Sequence, residues 1–408
     1  MPPPDHSDTA PAPTLLSAGA GWFERVRARA DALAGDRNPA FDALRGLLAL
    51  SICIYHMSLA DIDIMPPAWS QAGNLRVNVF FTLSGFLITL SVTRGAAFNP
   101  GKFLLARSRR ILPNYFAALM ICLLMINAGT LITDPPQAAL PDLVTHLTLT
   151  HGWFFDYSGS IVPAFWTLSH EWCFYLLALF TAPLLRGRRW WIVPAVMVLV
   201  AMVTRLGIRA HCWDLPFLNP LCIWDQFAFG IVGAKLVLNE GRRMNLILVA
   251  LGSLIVLWGV WHVFDIASSV RFRPGEFNPV ALAQETHEGL TRKRLDAVFF
   301  TSIFAVGVAS LLVWLNRKPP LLSGLRWTPL PLMGKISYST YLYHMPVIIC
   351  FSRALRKMPD DSFWHRPGLQ FATVLLAVYL VSVFCYFSFE RPWMRRSKPA
   401  PAVKGDTP

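Results

Sequence analysis

Ten runs of apolar residues, each about twenty residues long, constrain this chain more than any other feature of its sequence. A helical run of that length matches the hydrocarbon thickness of a bilayer. The chain is 54% hydrophobic and only 15% charged, with a mean hydropathy of +0.44, whereas soluble domains are nearer a quarter charged. The sequence therefore predicts an all-α, polytopic integral membrane protein. The predicted spans are 41–60, 76–93, 104–127, 165–184, 190–207, 219–238, 245–264, 297–315, 335–352 and 369–389.

The distribution of basic residues predicts the sidedness of these spans. With a cytoplasmic amino terminus, 24 of the 37 Lys and Arg residues lie on the cytoplasmic side and 12 on the outer side, as the positive-inside rule requires. The predicted outer loop 128–163 contains no Lys or Arg. Both termini are therefore predicted to be cytoplasmic, with polar tails at 1–38 and 394–408 around a transmembrane domain at 39–393. The net charge of +13 follows from this topology and does not indicate nucleic-acid binding.

Arg45 and His56 lie eleven residues apart within the first apolar run. Because this spacing is about three helical turns, both side chains lie on nearly the same face, roughly 16 Å apart along the axis. Ionisable groups at membrane depth are costly unless they face a protein interior or a wet cavity, so this pair indicates function. The alternative is an Arg that extends to the membrane surface beside one hydrogen-bonded His.

The second and third spans begin with further polar residues. Asn78 and the Ser84-Gly85 step lie in the first part of the second span, where a Ser-Gly step also permits the close approach of another helix. Clustered arginines at the start of the third span suit phosphate binding, although topology signalling and lipid headgroup contact are alternatives. The cluster consists of Arg107, Arg109 and Arg110.

Glu171 lies about two turns into the fourth span, beside His170. A carboxylate near an imidazole can orient it and stabilise its protonated form. The alternative is a carboxylate that accepts hydrogen bonds from aromatic N–H or O–H groups, since Trp166, Trp172 and Tyr175 are close in sequence.

The ninth span carries a dense group of polar residues in one half. Their hydroxyl groups can donate to an oxyanion or line a sugar path, and they also hold helices together. The group consists of Ser337, Tyr338, Ser339, Tyr341 and His344. Asp225 and Glu390 are further candidates within or beside spans. The seven cysteines have no metal-ligand spacing, so no metal site is predicted.

These segments together resemble the membrane-bound acyltransferase family 3, which includes bacterial O-acetylases of lipopolysaccharide, peptidoglycan and other glycans. The resemblance covers most of residues 38–393. The family's opening pattern is met by Asp42, Arg45, Gly46 and His56. Its later patterns are met by F-F-T-L-S-G-F-L-I at 80–88, W-T-L-S-H-E-W-C-F-Y at 166–175, G-K-I-S-Y-S-T-Y-L-Y-H-M-P at 334–346 and E-R-P at 390–392.

The sequence also departs from the family pattern. Asn78 stands where many members have Asp, and His170 occupies a place that is usually apolar. Many members carry a soluble esterase-like domain after the last span, for which this sequence offers no counterpart. We therefore expect a separate periplasmic transferase, or the membrane domain alone, to complete the transfer.

The resemblance implies an acyl-coenzyme A donor, such as acetyl-coenzyme A, and a glycan hydroxyl acceptor at the bacterial inner membrane. The donor is a substrate, and no tightly bound cofactor is expected. Arg45 and the arginines at 107, 109 and 110 lie on the predicted cytoplasmic side, where coenzyme A is found, and can pair with its phosphates.

The same resemblance, combined with the residue chemistry, assigns catalytic roles. We predict that His56 acts as general base on the acceptor hydroxyl or carries the acyl group briefly. Glu171 is predicted to orient His56, and Tyr338 or Ser337 to donate to the developing oxyanion. Acceptor binding is assigned to Asn78, Trp166, His170 and His344.

A proton-coupled transporter or glycan flippase is the competing class, because intramembrane His, Glu and Asp also serve as proton relays. Against it, the sequence shows no inverted repeat and no pair of broken spans in corresponding halves. A non-catalytic membrane partner is the third alternative.

Overall fold

The computed structural model describes residues 38–60, 62, 73–95, 97–127, 140–208, 219–239, 250–261, 293–359 and 361–395. Within these ranges the regular secondary structure is entirely helical, as predicted. The helices are α1 (Pro39–Leu59), α2 (Gly73–Thr93), α3 (Pro100–Asn127), α4 (Leu140–Leu147), α5 (Phe155–Ser158), α6 (Trp166–Arg186), α7 (Ile192–Ile208), α8 (Trp224–Asn239), α9 (Ala250–Trp261), α10 (Lys293–Asn316), α11 (Leu330–Lys335), α12 (Ser337–Leu355), α13 (Pro367–Cys385) and α14 (Arg391–Arg395). The predicted tails lie outside the described residues except at their inner ends.

Six helical segments in the described ranges are long and apolar enough to cross a membrane, and each coincides with a predicted span. They are Pro39–Leu59, Leu75–Thr93, Pro163–Arg186, Pro220–Leu238, Phe299–Asn316 and Pro367–Met394. The other four predicted spans correspond to α3, α7, α9 and α12. Of these, α7 and α9 are shorter, α3 carries the arginine cluster, and α12 is rich in Ser and Tyr. The count of ten spans and the placement of the termini stay predictions.

The position of α1 is set at its first turn. Asn38 Oδ1 accepts a hydrogen bond from the backbone N–H of Ala40 at 3.0 Å, and Pro39 occupies the first helical position. Both features favour a helix start. Asn38 Nδ2 also donates to the carbonyl of Leu315 at 2.7 Å, near the end of α10. The start of α1, which carries Arg45 one to two turns later, is thereby tied to α10.

Glycines bring two pairs of helices into close backbone contact. A Cβ atom on Gly85 would overlap the backbone of Phe227, and one on Gly230 would overlap the backbone of Thr82. A Cβ atom on Gly46 would likewise overlap the start of α11. Small residues at such crossings stabilise helix association in a membrane. The close approach predicted at the Ser-Gly step of the second span is therefore confirmed.

The largest core cluster joins α2, α3, α6, α8 and α12. Phe174 of α6 stacks on Phe227 of α8 with ring centroids 4.2 Å apart, and Phe81 of α2 contacts Phe227 at 5.0 Å. Within a bilayer, such contacts stabilise through dispersion and close fit rather than through exclusion of water. This core holds α2, α6 and α8 in a fixed relative position.

The segment between α3 and α6 folds against those two helices. Tyr115 donates its hydroxyl proton to the carbonyl of His146 at 3.0 Å, and His151 Nε2 lies 3.0 Å from the carbonyl of Phe165. The rings of His146 and His151 stack with centroids 4.1 Å apart. Burial lowers the pKa of His146 to about 4 and that of His151 to about 3, so both are neutral at physiological pH.

Candidate active site

A cavity lies between α1, α2, α3, α6 and α12. It offers about 100 Å³ to the centres of water molecules, which is room for several waters or for a short acyl group. Its polar lining consists of Arg45, Ser84, Arg107, Arg110, Thr167, Glu171, Tyr175, Ser337, Tyr338 and Tyr341. Each of the five polar segments singled out in the sequence contributes to this one cavity.

Three guanidinium groups face the cavity. Arg45 pairs with the buried carboxylate of Asp42, with Nη1 and Oδ1 3.2 Å apart. Arg107 and Arg110 are three residues apart on α3 and therefore share a helix face. The guanidinium carbon of Arg107 lies 5.6 Å from the centre of the Tyr175 ring. Planar guanidinium groups held this way present several N–H donors to a phosphate or carboxylate.

Glu171 supplies the negative charge of the cavity wall. Its Oε1 accepts a hydrogen bond from Ser84 Oγ at 3.3 Å and another from the hydroxyl of Tyr175, one helical turn away. The carboxylate also interacts electrostatically with Arg107 and Arg110. The prediction that an aromatic O–H group bonds Glu171 is therefore confirmed at Tyr175.

Hydroxyl groups of α12 form another part of the wall. Tyr338 donates to the carbonyl of Ile111 at 2.9 Å, and Ser337 donates to the carbonyl of Gly334 at 2.8 Å. The hydroxyl of Tyr341 donates to the carbonyl of Ala164 at 2.7 Å. Because each hydroxyl has a single proton, it can donate to a ligand only after it gives up its backbone acceptor.

A histidine pair lies beside the cavity. His344 Nε2 and His56 Nδ1 are 3.1 Å apart, with ring centroids 4.9 Å apart. His344 is 1% exposed, whereas His56 is half-buried. The ring of Tyr341, which lines the cavity, lies 5.6 Å from the ring of His344. Tyr341 therefore lies next to both the arginine-lined cavity and the histidine pair.

A family model described as an acyltransferase domain matches residues 38–387. That range includes every cavity-lining residue and both histidines. The chain belongs to acyltransferase family 3. The resemblance seen in the sequence is thereby confirmed, and the chain is an O-acyltransferase of the membrane.

Two curated relatives align with most of the sequence of this acyltransferase. It is 26% identical over 390 residues to a Komagataeibacter xylinus protein named as the membrane-bound transacylase BcsY, across 90% of this chain and 86% of that protein. It is 25% identical over 338 residues to the acyltransferase MdmB of Streptomyces mycarofaciens, across 76% of this chain and 79% of that protein.

A third relative is considerably longer than this acyltransferase. The chain is 23% identical over 385 residues to the peptidoglycan O-acetyltransferase OatA of Listeria monocytogenes, across 87% of this chain and 55% of OatA. The chain thus spans about half the length of OatA. No solved structure shows a match to this acyltransferase.

Some predicted site residues of this acyltransferase do not line the cavity. They are His56, Asn78, Arg109, Trp166, His170 and His344. His170 is buried, and its Nδ1 lies 2.8 Å from the carbonyl of Trp166 one turn earlier. Asn78 is buried in the first part of α2. Arg109 is adjacent in sequence to the two lining arginines of α3.

The predicted contact between Glu171 and His56 is corrected by the structure. Among the described residues, His56 hydrogen-bonds to His344 and to the carbonyl of Ile52, whereas Glu171 hydrogen-bonds to Ser84 and Tyr175.

Sequence reasoning missed Asn114, which connects α3, α12 and the segment that follows α13. Asn114 Nδ2 donates to Ser339 Oγ at 2.9 Å, and Ser339 Oγ donates to Glu390 Oε2 at 2.8 Å. Tyr343 donates to Asn114 Oδ1 at 3.1 Å. The available signal was an amide within an otherwise apolar run, four residues after Arg110.

Arg76 was not among the site residues predicted from the sequence. Its side chain is buried in the first turn of α2, with the guanidinium carbon 6.0 Å from the centre of the Tyr55 ring. It also interacts electrostatically with His56. The start of α2, which carries Arg76, therefore lies near the histidine pair.

Proposed function

We propose that this O-acyltransferase moves an acyl group, acetyl in the simplest case, from acyl-coenzyme A to a hydroxyl of a cell-envelope or exported glycan. The observation that carries the proposal is the arrangement of three arginines around one cavity, with the His56–His344 pair just beyond Tyr341. The arginines can bind the phosphates of the donor, and a histidine of the pair can act as base toward the hydroxyl of the acceptor. The peptidoglycan O-acetyltransferase relative supports a glycan acceptor.

The donor is assigned to the arginine side of the cavity. Coenzyme A carries several phosphates, and Arg45, Arg107 and Arg110 can each make charge-assisted hydrogen bonds to phosphate oxygens. The apolar lining residues suit the uncharged pantetheine arm and a short acyl chain. They include Val77, Phe80, Leu83, Leu87 and Ile88. The volume of about 100 Å³ favours a short acyl group.

His56 is assigned as the general base. Its imidazole takes the proton of the acceptor hydroxyl while the hydroxyl oxygen attacks the thioester carbonyl carbon. A C–O bond forms and the C–S bond breaks, and the departing coenzyme A thiolate takes the proton back from His56. The base is thereby regenerated within one turnover. In the alternative route, His56 itself holds the acyl group before the acceptor arrives.

The remaining polar groups support this step. Tyr338 or Ser337 stabilises the negative charge on the thioester oxygen after its hydroxyl leaves its backbone acceptor. Glu171 balances the charge of Arg107 and Arg110 and holds the hydroxyl of Tyr175. We assign acceptor contacts to the outer-half residues Asn78, Trp166 and His170, as the sequence predicts. The acceptor contact predicted for His344 is not proposed, because this buried ring contacts His56 instead.

The sidedness of the proposal comes from the basic-residue distribution. It places both termini and Arg45 toward the cytoplasm, and His56 toward the outer face of a bacterial inner membrane. Donor and acceptor then approach from opposite sides of the bilayer. A separate periplasmic transferase can receive the acyl group if the glycan lies beyond reach.

The transporter and flippase alternative has no support in the relatives described above, each of which is named for acyl transfer. The cavity also groups three arginines, whose N–H donors suit bound phosphates.

Two measurements test the proposed function. In a deletion strain, the acyl content of surface glycans should fall and should return when the wild-type chain is supplied. Purified protein in lipid nanodiscs should release free coenzyme A from acetyl-coenzyme A faster when the acceptor glycan is added. Unchanged glycan acylation together with no release of coenzyme A would overturn the proposal. Detection of acyl-labelled protein in the absence of acceptor would favour the route in which His56 itself holds the acyl group.

A further inference from the structure

The hydrogen bonds of His344 determine which of its ring nitrogens carries the proton. Its Nδ1 lies 2.7 Å from the carbonyl oxygen of Tyr341 and 3.2 Å from that of Thr340. Carbonyl oxygens only accept hydrogen bonds, so Nδ1 must be the donor. A neutral imidazole has one N–H, and the Nε2 atom of His344 is therefore left with a lone pair.

That lone pair and the carbonyl of Ile52 together determine the tautomer of His56. The Nδ1 atom of His56 lies 3.1 Å from His344 Nε2 and also 3.1 Å from the carbonyl oxygen of Ile52. Both neighbours are acceptors, so His56 Nδ1 carries the proton. The lone pair of neutral His56 then lies on Nε2, the nitrogen on the opposite side of the ring from His344.

We propose that His344 is a positioning residue that keeps His56 in the tautomer whose Nε2 accepts the proton of the acceptor hydroxyl. The inference rests on the proposed function, in which His56 is the base. A carboxylate often plays the orienting part for a catalytic histidine. Here the orienting group is a neutral imidazole, which costs less to bury at membrane depth than an ionised carboxylate.

The chemistry leaves the contact between the two rings intact. When His56 Nε2 takes the hydroxyl proton, His56 becomes an imidazolium ion whose Nδ1–H still donates to His344. The proton returns from Nε2 to the leaving thiolate, and no bond to His344 is made or broken. His344 is 1% exposed and His56 is half-buried. His56 can therefore be reached by a substrate, whereas His344 acts through His56.

The exchange of His344 for Gln or Leu tests this role. Gln has an amide oxygen that can accept from His56 Nδ1, whereas Leu fills a similar space without an acceptor. We expect His344→Leu to lower kcat roughly 100-fold with little change in KM for the donor, and His344→Gln to retain activity within about tenfold of wild type. Ser352→Ala, a buried position further along α12, is the matched control and should retain wild-type activity.

A spectroscopic measurement covers the case in which the Leu variant fails to fold. Selective ¹⁵N labelling of histidine in the wild-type protein reports the tautomer of each ring through its nitrogen chemical shifts. We expect both His56 and His344 to be protonated on Nδ1 at neutral pH. Protonation of His56 on Nε2, or equal kcat values for the Leu and wild-type proteins, would overturn the inference.

The same experiments separate this inference from the proposed function. If His56→Gln is inactive while His344→Leu is fully active, the base assignment stands and the positioning role of His344 is wrong. If His56→Gln is itself active, the proposed function fails at its base, whatever the tautomer spectrum shows.

Discussion

In the described part of the helix bundle, two clusters of charged side chains differ in what surrounds them. One is the cavity cluster of Arg45, Arg107, Arg110 and Glu171, which borders an open volume. The other is a closed cluster that joins α7, α8 and α10. In the closed cluster, Arg205 Nη2 lies 2.7 Å from Asp225 Oδ1 and Arg205 Nη1 lies 3.1 Å from Ser302 Oγ, while Ser302 Oγ also contacts Asp225 Oδ2 at 2.5 Å.

The comparison shows that charge at membrane depth does not by itself mark a reaction site. Asp225 was a functional candidate in the sequence, but it is 0% exposed and its two carboxylate oxygens are used by Arg205 and Ser302. Such a pair cross-links helices. The cavity cluster leaves room beside its charges for a ligand. We therefore expect substitutions in the closed cluster to affect stability and substitutions in the cavity cluster to affect activity.

The largest effect is expected from Asp225→Asn in the closed cluster. It removes the carboxylate that pairs with the buried guanidinium of Arg205, and loss of one partner of a buried ion pair typically costs about 3–5 kcal/mol of folding free energy. Thermal unfolding in detergent should show a large loss, while the rate per folded molecule stays near wild type. The double variant Arg205→Met with Asp225→Leu should recover much of the stability. Wild-type stability with lost activity would contradict the division between the clusters.

Glu171→Gln should produce the next largest effect. The change keeps the shape and the hydrogen-bonding capacity of the side chain but removes the charge that balances Arg107 and Arg110. We expect acyl transfer to slow by about 100-fold, with an unfolding temperature close to that of wild type. Steady-state kinetics beside thermal unfolding measure both quantities. A nearly wild-type rate would show that Glu171 only supports its neighbours structurally.

Arg45→Lys should have a smaller effect, confined to the donor. Lys keeps the positive charge but loses the planar fork that binds phosphate through two N–H groups. We expect donor affinity to fall about tenfold, measured by titration with a non-hydrolysable acyl-coenzyme A analogue. Arg109→Lys is the comparison, because Arg109 does not line the cavity. Equal losses in the two variants would show that the arginines act through overall charge instead of cavity contacts.

The smallest effect near neutral pH concerns the stacked pair His146 and His151. Their pKa values are lowered by burial to about 4 and about 3, below the ordinary value near 6.5. As pH falls from 6.5 toward 4, the unfolded chain binds more protons than the folded chain, so the free energy of unfolding falls with pH. Burial raises the pKa of the neighbouring Asp142. The folded chain then binds that proton more readily than the unfolded chain, so Asp142 opposes the trend set by the two histidines.

Unfolding at a series of pH values checks this expectation. The variant His151→Asn retains a hydrogen-bond donor and removes one titrating group, so its stability should depend less steeply on pH between 6.5 and 4. The same slope in the variant and the wild type would show that the stacked pair is not the source of the pH dependence.

The helical fold and the family could both be predicted from the sequence. Apolar runs of membrane-spanning length predicted the six long apolar helices of the described ranges, because that signal is local in the chain. The Ser84-Gly85 step correctly indicated a close helix crossing. The motif segments also correctly identified most of the cavity wall. α12 was predicted to span although its Ser and Tyr residues lower its mean hydropathy.

Pairings between distant segments could not be predicted from the same patterns. His56 and His344 are 288 positions apart, and each lies beside several other polar residues in its own segment. Glu171 was predicted to orient His56 because a carboxylate can orient an imidazole, whereas its hydrogen bonds in the structure go to Ser84 and Tyr175. Depth along a span is encoded locally, but the direction in which a side chain points depends on how the helices pack.

The most direct test of the account is acyl transfer by His56→Gln. Gln keeps a hydrogen-bonding side chain of similar size but cannot accept and return a proton as imidazole does. The purified variant in nanodiscs should bind acyl-coenzyme A and unfold at the same temperature as wild type. Its transfer of the acyl group to the glycan in a single-turnover assay should be undetectable. Transfer at the wild-type rate by the folded Gln variant would contradict the central claim that His56 is the base.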